Sequence, residues 1–336
     1  MRRPIVVSLL LVGACAIAIS TVLWLRSPAR SWPRGTRSFG IGVPIQWSPD
    51  GRFLLCLDLR TSADDPRSGP SLDIIDTQTG TRRRFLDGRG TARRAASLDL
   101  DMLNTVQWYS PDALAYVEAK AGRRVLVKVE LRSLTKSRVA ELPSDTVPQS
   151  VLIGPSGRVL FMRRSKGPDR NLWMVKLTGG EAKRVTDYGV GGGLGVVAYP
   201  FRNYQWSADG ESVAYEEEQL GVSTPVVFGR HPDASRGVRQ VDLGSGTSVA
   251  VKCASEERAV WLDWAKGPRG RCVYGRRLAG TDVDLMLRDC TTGRSMRLAR
   301  SHSLLPAAVL SRDASRVAFT SGDSFVEPKL AVLKLP

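Results

Sequence analysis

The sequence predicts an all-β fold: a six-bladed β-propeller of four-stranded antiparallel blades, preceded by one N-terminal transmembrane helix. Three observations carry this expectation. A strand–turn–strand pattern recurs six times at roughly 50-residue spacing. The 32 Gly and 19 Pro leave no long amphipathic stretch for a helical bundle. Ahead of the repeats stands an apolar run without charge, Ile5 to Leu25. At 336 residues the chain is long for one ordinary domain but suits a single propeller. A hydrophobic fraction of 42% and a charged fraction of 24% are those of a packed chain, which excludes disorder for most of it.

The N-terminal run would span about 30 Å as a helix, the thickness of the hydrocarbon core of a bilayer. It is followed by Arg26-Ser27-Pro28, and no convincing small-x-small cleavage site follows Leu25. Residues 1–27 are therefore read as an uncleaved signal-anchor that contacts the membrane through residues 5–25. Val12-Gly13-Ala14-Cys15 offers a second reading, a lipoprotein signal, but the apolar run continues well past Cys15. Arg2 and Arg3 favour a cytoplasmic N-terminus, whereas Arg26, Arg30, Arg34 and Arg37 crowd the other flank. A short basic start before a first apolar run usually acts as an export signal, so the body is expected outside the cytoplasm, periplasmic or at the cell surface.

The repeats begin with Ile45-Gln46-Trp47-Ser48-Pro49-Asp50-Gly51-Arg52, which leads into Phe53–Leu57. Val106-Gln107-Trp108-Tyr109-Ser110-Pro111-Asp112 leads into Leu114–Val117, and Leu152-Ile153-Gly154-Pro155-Ser156-Gly157 into Val159–Met162. The fourth copy is Tyr204-Gln205-Trp206-Ser207-Ala208-Asp209-Gly210. The fifth, degraded, is Leu262-Asp263-Trp264-Ala265, and the sixth is Val309-Leu310-Ser311-Arg312-Asp313. Pro presets the turn, Asp bonds its own backbone and Gly tolerates positive φ, so each copy reads as a hairpin. A third strand and a second Gly turn follow, as in Leu72–Asp76 before Thr79-Gly80, and then a fourth strand such as Arg82–Leu86. The sixth copy stops after its third strand, Leu330–Leu335. Its outer strand is expected from residues around Thr36 to Ile41, within a 28–40 linker and ring-closing segment, ahead of a propeller over 41–336.

Trp47-Ser48-Pro49-Asp50-Gly51-Arg52 and Trp206-Ser207-Ala208-Asp209-Gly210 resemble the repeats of the TolB-like (WD40-like, PD40) propellers. The segment Asn171–Gly180 with Lys183–Thr186 is similar to their strand–turn–strand continuation. The resemblance covers nearly everything from about residue 40 onward and implies the propeller fold. Only the apolar run and a short linker stand ahead of the repeats in this sequence, so a separate α/β domain like that of TolB is not expected before the ring.

Common nucleotide, protease and zinc signatures are absent from the sequence, and two histidines, His231 and His302, leave little for His-based chemistry. The glycine run Gly189 to Gly195 reads as an inter-blade loop, since no helix follows it to make a phosphate cradle. Cys253, Cys272 and Cys290 could hold one disulfide outside the cell or remain buried thiols.

Two features are candidate sites. The residue before the motif tryptophan is polar in four repeats, Gln46, Gln107, Gln205 and Asp263, which can line the central channel or bond neighbouring blades. The second is a basic face, because 49 Lys plus Arg against 33 Asp plus Glu give a formal +16. Loops between second and third strands share a face with the blade-to-blade connections. They hold Arg123, Arg124, Arg163, Arg164, Lys166, Arg170, Arg230, Arg236, Arg276 and Arg277, and the insertions near 60–71, 187–203 and 216–237. The expected function is a membrane-anchored, non-catalytic binding module for a protein or other anionic envelope partner, as a monomeric ring without cofactor or metal. Nucleic acid is not expected, since aromatics are not interleaved with the basic loops. The alternative is a lyase, lactonase or hydrolase at the channel mouth, using Asp263 with Asp99 or Asp101 and a divalent metal.

Overall fold

In a computed structural model the chain divides into two compact units, Met1–Arg34 and Gly35–Pro336. The described residues are 33–58, 71–86, 105–120, 122–155, 157–163, 171–187, 193–194, 204–207, 209–218, 237–250, 259–265, 270–277, 283–289, 291–301, 307–321 and 328–335. The expected membrane run, Cys15, Asp99, Asp101, both histidines, Cys253 and Cys290 lie outside them. No helix among the described residues is long and apolar enough to cross a membrane.

Strand β1 (Thr36–Ile41) comes first and belongs to the last blade. Blade one is β2 (Val43–Trp47), β3 (Phe53–Asp58), β4 (Ser71–Asp76) and β5 (Arg82–Leu86). Blade two is β6 (Gln107–Ser110), β7 (Ala113–Lys120), β8 (Arg123–Glu130) and β9 (Lys136–Leu142). Blade three is β10 (Leu152–Ile153), β11 (Arg158–Met162), β12 (Leu172–Lys176) and β13 (Lys183–Arg184). In blade four, β14 (Gly193–Leu194) and β15 (Tyr204–Trp206) both pair with β16 (Ser212–Glu218), followed by β17 (Gly237–Asp242) and β18 (Ser248–Ala250). Blade five is β19 (Ala259–Ala265), β20 (Arg271–Arg277), β21 (Val283–Asp289) and β22 (Ser295–Ser301). Blade six is β23 (Ala308–Leu310), β24 (Arg316–Ser321) and β25 (Lys329–Lys334), with β1 antiparallel to β25 as its outer strand.

The turn chemistry follows the repeat. Ser48 Oγ donates to Asp50 Oδ1 at 2.5 Å and accepts from Phe53 N at 2.8 Å, which closes the first turn of blade one. Ser207 with Asp209 and Ser311 with Asp313 build the same turn in blades four and six. At the second turn an aspartate caps the backbone: Asp76 Oδ1 accepts from Gln78 N and Thr79 N, and Asp289 Oδ1 from Thr291 N and Thr292 N. A residue at positive φ closes each of these turns, Gly80 and Gly293 among them; in blade two Leu134 holds the place at φ 56°.

Apolar side chains of neighbouring blades pack together between the sheets. Leu55, Leu72 and Ile74 of blade one meet Trp108, Leu114 and Tyr116 of blade two in one core. Trp47, Leu54 and Ile75 meet Ala318, Leu330 and Val332 of blade six in another, across the ring closure. Tryptophan indoles stitch the inner strands: Trp47 Nε1 donates to Val309 O at 3.0 Å, Trp108 Nε1 to Gln46 O at 3.2 Å and Trp206 Nε1 to Leu152 O at 3.2 Å. On the side of the short turns arginines lace blade to blade. Arg316 donates to Gly51 O, Arg37 to Thr77 O, Arg83 to Leu131 O and Arg271 to Ala314 O, while Arg158 pairs with Glu211. Much of the basic excess is thus structural.

Candidate functional site

Alternating strand direction sends every second-to-third-strand loop and every blade-to-blade connection to one face and the two short turns of each blade to the other. On the loop face the basic candidates stand at strand ends. Arg123 opens β8, with Nε 3.8 Å from Glu141 and its side chain 68% exposed. Arg124 follows, donating to Arg123 O, and its Nε is buried without a partner. Arg163 follows β11 directly, in an isolated bridge with Thr146, pairs through Nε with Asp145 at 2.6 Å and lies 4.8 Å above the Trp173 ring. Its side chain is 37% exposed. Arg276, in β20, pairs at 3.1 Å with Asp284, whose side chain is 1% exposed. Arg164, Lys166, Arg170, Arg230 and Arg236 lie outside the described residues, as does the side chain of Arg277.

Asp284 receives a second guanidinium, Arg300 Nε at 2.9 Å. Burial opposes its ionisation, but the hydrogen bonds from Arg300 and Arg276 outweigh that cost and hold the carboxyl below its ordinary range. A comparable cluster occupies blade one. Arg82 donates to Asp73 at 2.5 Å, to Asp58 at 3.2 Å and to Ile41 O of the closing strand at 2.6 Å. Both carboxylates are nearly fully buried. Neither cluster was visible in the sequence, because Asp73 and Arg82 sit on different strands; the common signal was a carboxylate in a third strand whose neighbours are apolar.

The polar positions before the tryptophans behave differently from one another. Gln107 is buried and spends its whole amide on blade three: Nε2 donates to Val151 O at 3.0 Å and Oε1 accepts from Ile153 N at 2.7 Å. Gln46 Oε1 accepts from Trp108 N of blade two at 3.1 Å. Gln205 is half-buried in β15. Asp263 pairs through its backbone with Val273, and its side chain lies outside the described residues. Among the described residues no group of three or more His, Cys, Asp or Glu converges as a metal site. Cys56 and Cys272 are buried, and burial pushes the Cys56 thiol far up, out of reactive range. Of the glycine run, Gly193 and Leu194 form β14 against Glu218 and Glu217.

The chain is a six-bladed β-propeller, and solved propellers superpose on it. TolB from Acinetobacter baumannii aligns with a TM-score of 0.52 and 15% identity over 87% of this chain and 63% of that one. An oligogalacturonate lyase in complex with manganese aligns with a TM-score of 0.54 and 16% identity, over 92% of this chain and 94% of that one. The oligogalacturonate lyase of Vibrio parahaemolyticus gives 0.52 and 12%, over 90% and 93%. Identities this low speak for the fold alone, and the chain spans less than two thirds of the length of the TolB protein. The propeller resemblance to TolB read from the Trp-Ser-Pro-Asp-Gly repeats stands in the structure. No protein-family model matches the sequence, and no curated protein matches it.

Proposed function

We propose that the protein is a non-catalytic binding module, tethered to a membrane through residues 5–25, whose loop face recognises a protein or other anionic partner outside the cytoplasm. The observation that carries this reading is the placement of Arg123 and Arg276 at strand ends, and of Arg163 just past one, on the face where the long connections open. Asp145 and Asp284 hydrogen-bond part of the donor forks of Arg163 and Arg276, Glu141 stands 3.8 Å from Arg123, and 37–68% of each arginine side chain stays exposed. Pre-held forks bind carboxylate or phosphate at little entropic cost. The described buried carboxylates Asp58, Asp73, Asp76 and Asp284 each pair with arginine, which disfavours them for acid–base or metal chemistry.

Charge reversal at Arg163 or Arg276 would strand Asp145 or Asp284, so the test uses Arg123→Glu, Arg164→Glu, Lys166→Glu and Arg170→Glu. The full chain in mild detergent is used to capture partners from an envelope extract, beside this variant. A partner lost with the four substitutions and in rising salt is expected. A partner retained equally by both proteins would overturn the reading and direct attention to the channel mouth.

A further inference from the structure

The charge of this protein is concentrated on the outermost strand of each blade. The six outer strands read TRSFGI, RRRFL, KSRVAEL, KR, SVA and SMRLARS, and together hold ten Arg or Lys against one Glu. All other described strands together hold 14 Arg or Lys against 12 Asp or Glu. Nine of the formal +16 therefore sit on the rim of the ring.

Part of that charge is neutralised locally. Arg82 and Arg84 face Asp58 and Asp73, Arg300 faces Asp284, Arg138 pairs with Glu141 and Arg184 with Asp187. What remains is one exposed cation on each of five outer strands that forms no salt bridge with a described residue: Arg37, Arg83, Lys136, Lys183 and Arg297, the last attracted at longer range by Asp284. They belong to blades six, one, two, three and five, an unbroken arc of five adjacent blades; the outer strand of blade four, Ser248–Ala250, carries no cation. Arg37 and Arg83 donate to backbone carbonyls of the next blade, which orients the guanidinium without cancelling its charge.

Register sets the five at one height. Their cross-strand partners are Val332, Ile74, Val129, Met174 and Met286. Each partner lies one to three positions before the end of its strand. A spread of two residues along a strand is about 7 Å. All five cations thus lie near the short-turn side, away from the loop face.

A charge on an edge strand, lysine above all, discourages edge-to-edge pairing. Edge protection accounts for a cation on each separate edge but does not call for their placement at one height over five adjacent blades. We propose that this girdle is a docking track for a linear polyanionic polysaccharide that runs along the rim. Cations spread singly over five blades suit a ligand whose charge repeats along its length. The turn face bordering the track mixes signs, with Asp50, Asp112, Asp209 and Asp313 among Arg52, Arg132, Arg294 and Arg312, and so does not suit a flat anionic bilayer. The outer strands offer only Phe39 and Phe85 as aromatics, both packed against the core, so they provide no stacking platform for nucleic-acid bases.

The test measures affinity of the full chain for heparin fragments of defined length, with duplex DNA of similar length alongside. The rim variant carries Gln at 37, 83, 136, 183 and 297. A control removes the same number of charges elsewhere: Arg123→Gln, Lys166→Gln, Arg170→Gln, Arg312→Gln and Lys329→Gln. The expected result is at least a tenfold loss of heparin affinity and a shallower salt dependence in the rim variant, against less than threefold in the control. Longer fragments should bind more tightly than disaccharides to the unaltered chain. Because Arg37 and Arg83 also lace the blades, a triple variant, Lys136→Gln, Lys183→Gln and Arg297→Gln, leaves those contacts intact and should still lose about threefold with an unchanged melting temperature. Equal loss in rim and control variants, no loss in the rim variants, or DNA bound as tightly as heparin would overturn the proposal. The control removes loop-face charges, so failure of the loop-face reading shows separately, in partner capture.

Discussion

The indole of Trp206 in blade four lies against the backbone of Gly154 in blade three so closely that a Cβ at 154 would fall 2.5 Å from Trp206 Cε2. Ile153 occupies the place that Trp47 and Trp108 hold in their own repeats, as its N–H to the glutamine of the preceding blade shows, and Gly154 takes the next place, that of Ser48. Blade three thus has no tryptophan of its own there, and its glycine makes room for that of its neighbour. Gly154→Ala should destabilise the ring by ~1–3 kcal/mol, because indole and backbone must separate in a close-packed junction. Denaturant melts of the two proteins check this, and an unchanged midpoint would refute it.

Gln107 is the other tight connection of that region. Replacing it with Met keeps the volume but leaves Val151 O and Ile153 N without their partner at a buried junction. We expect a loss of ~2–4 kcal/mol, from two buried backbone groups left unpaired. Gln46→Met, at a half-buried position with one bond from its amide, should cost less.

Leu134 takes positive φ where three other blades have Gly80, Gly246 and Gly293. Its side chain is 55% exposed, so little burial opposes the change. Leu134→Gly should stabilise the protein by about 0.5–1 kcal/mol, relief of left-handed strain outweighing the added freedom of the unfolded chain. A lower melting temperature would show that the leucine is held by its contacts instead.

Asp284 sets an acid limit. Its carboxyl is held below the ordinary value of 3.8, so the stability it contributes is full above that pH and is lost as pH falls through the lower, folded-state value. Asp284→Asn should flatten the acid end of the stability profile. At neutral pH it should cost about 1–3 kcal/mol, reduced from a fully buried pair because Arg276 and Arg300 are half exposed. Urea melts from pH 3 to 7 on both proteins would show it; parallel profiles would contradict it.

The blades were legible because their signals are local. Ser48 and Asp50, or Ser311 and Asp313, act within five residues of one another, so turn and flanking strands can be read from consecutive letters. Partnership across blades was not. The sequence marked Gln46 and Gln107 as a recurring polar position with two readings, and only the structure shows both amides reaching the next blade. The same holds for Arg163 and Arg276: the loops that carry them were readable, whereas the carboxylates that hold them come from other segments.

By itself the sequence determined six hairpin repeats, the order of strands within a blade and the large basic excess, since each depends on residue types at short spacing. The tertiary structure decided where that excess goes. Arg37 meets Thr77, Arg316 meets Gly51 and Arg82 meets Ile41 only once the ring closes, because long side chains reach across a junction between segments far apart in the chain. Closure also aligns the outer strands, and that alignment, set by hydrogen-bond register, turns scattered cations into an arc at one height.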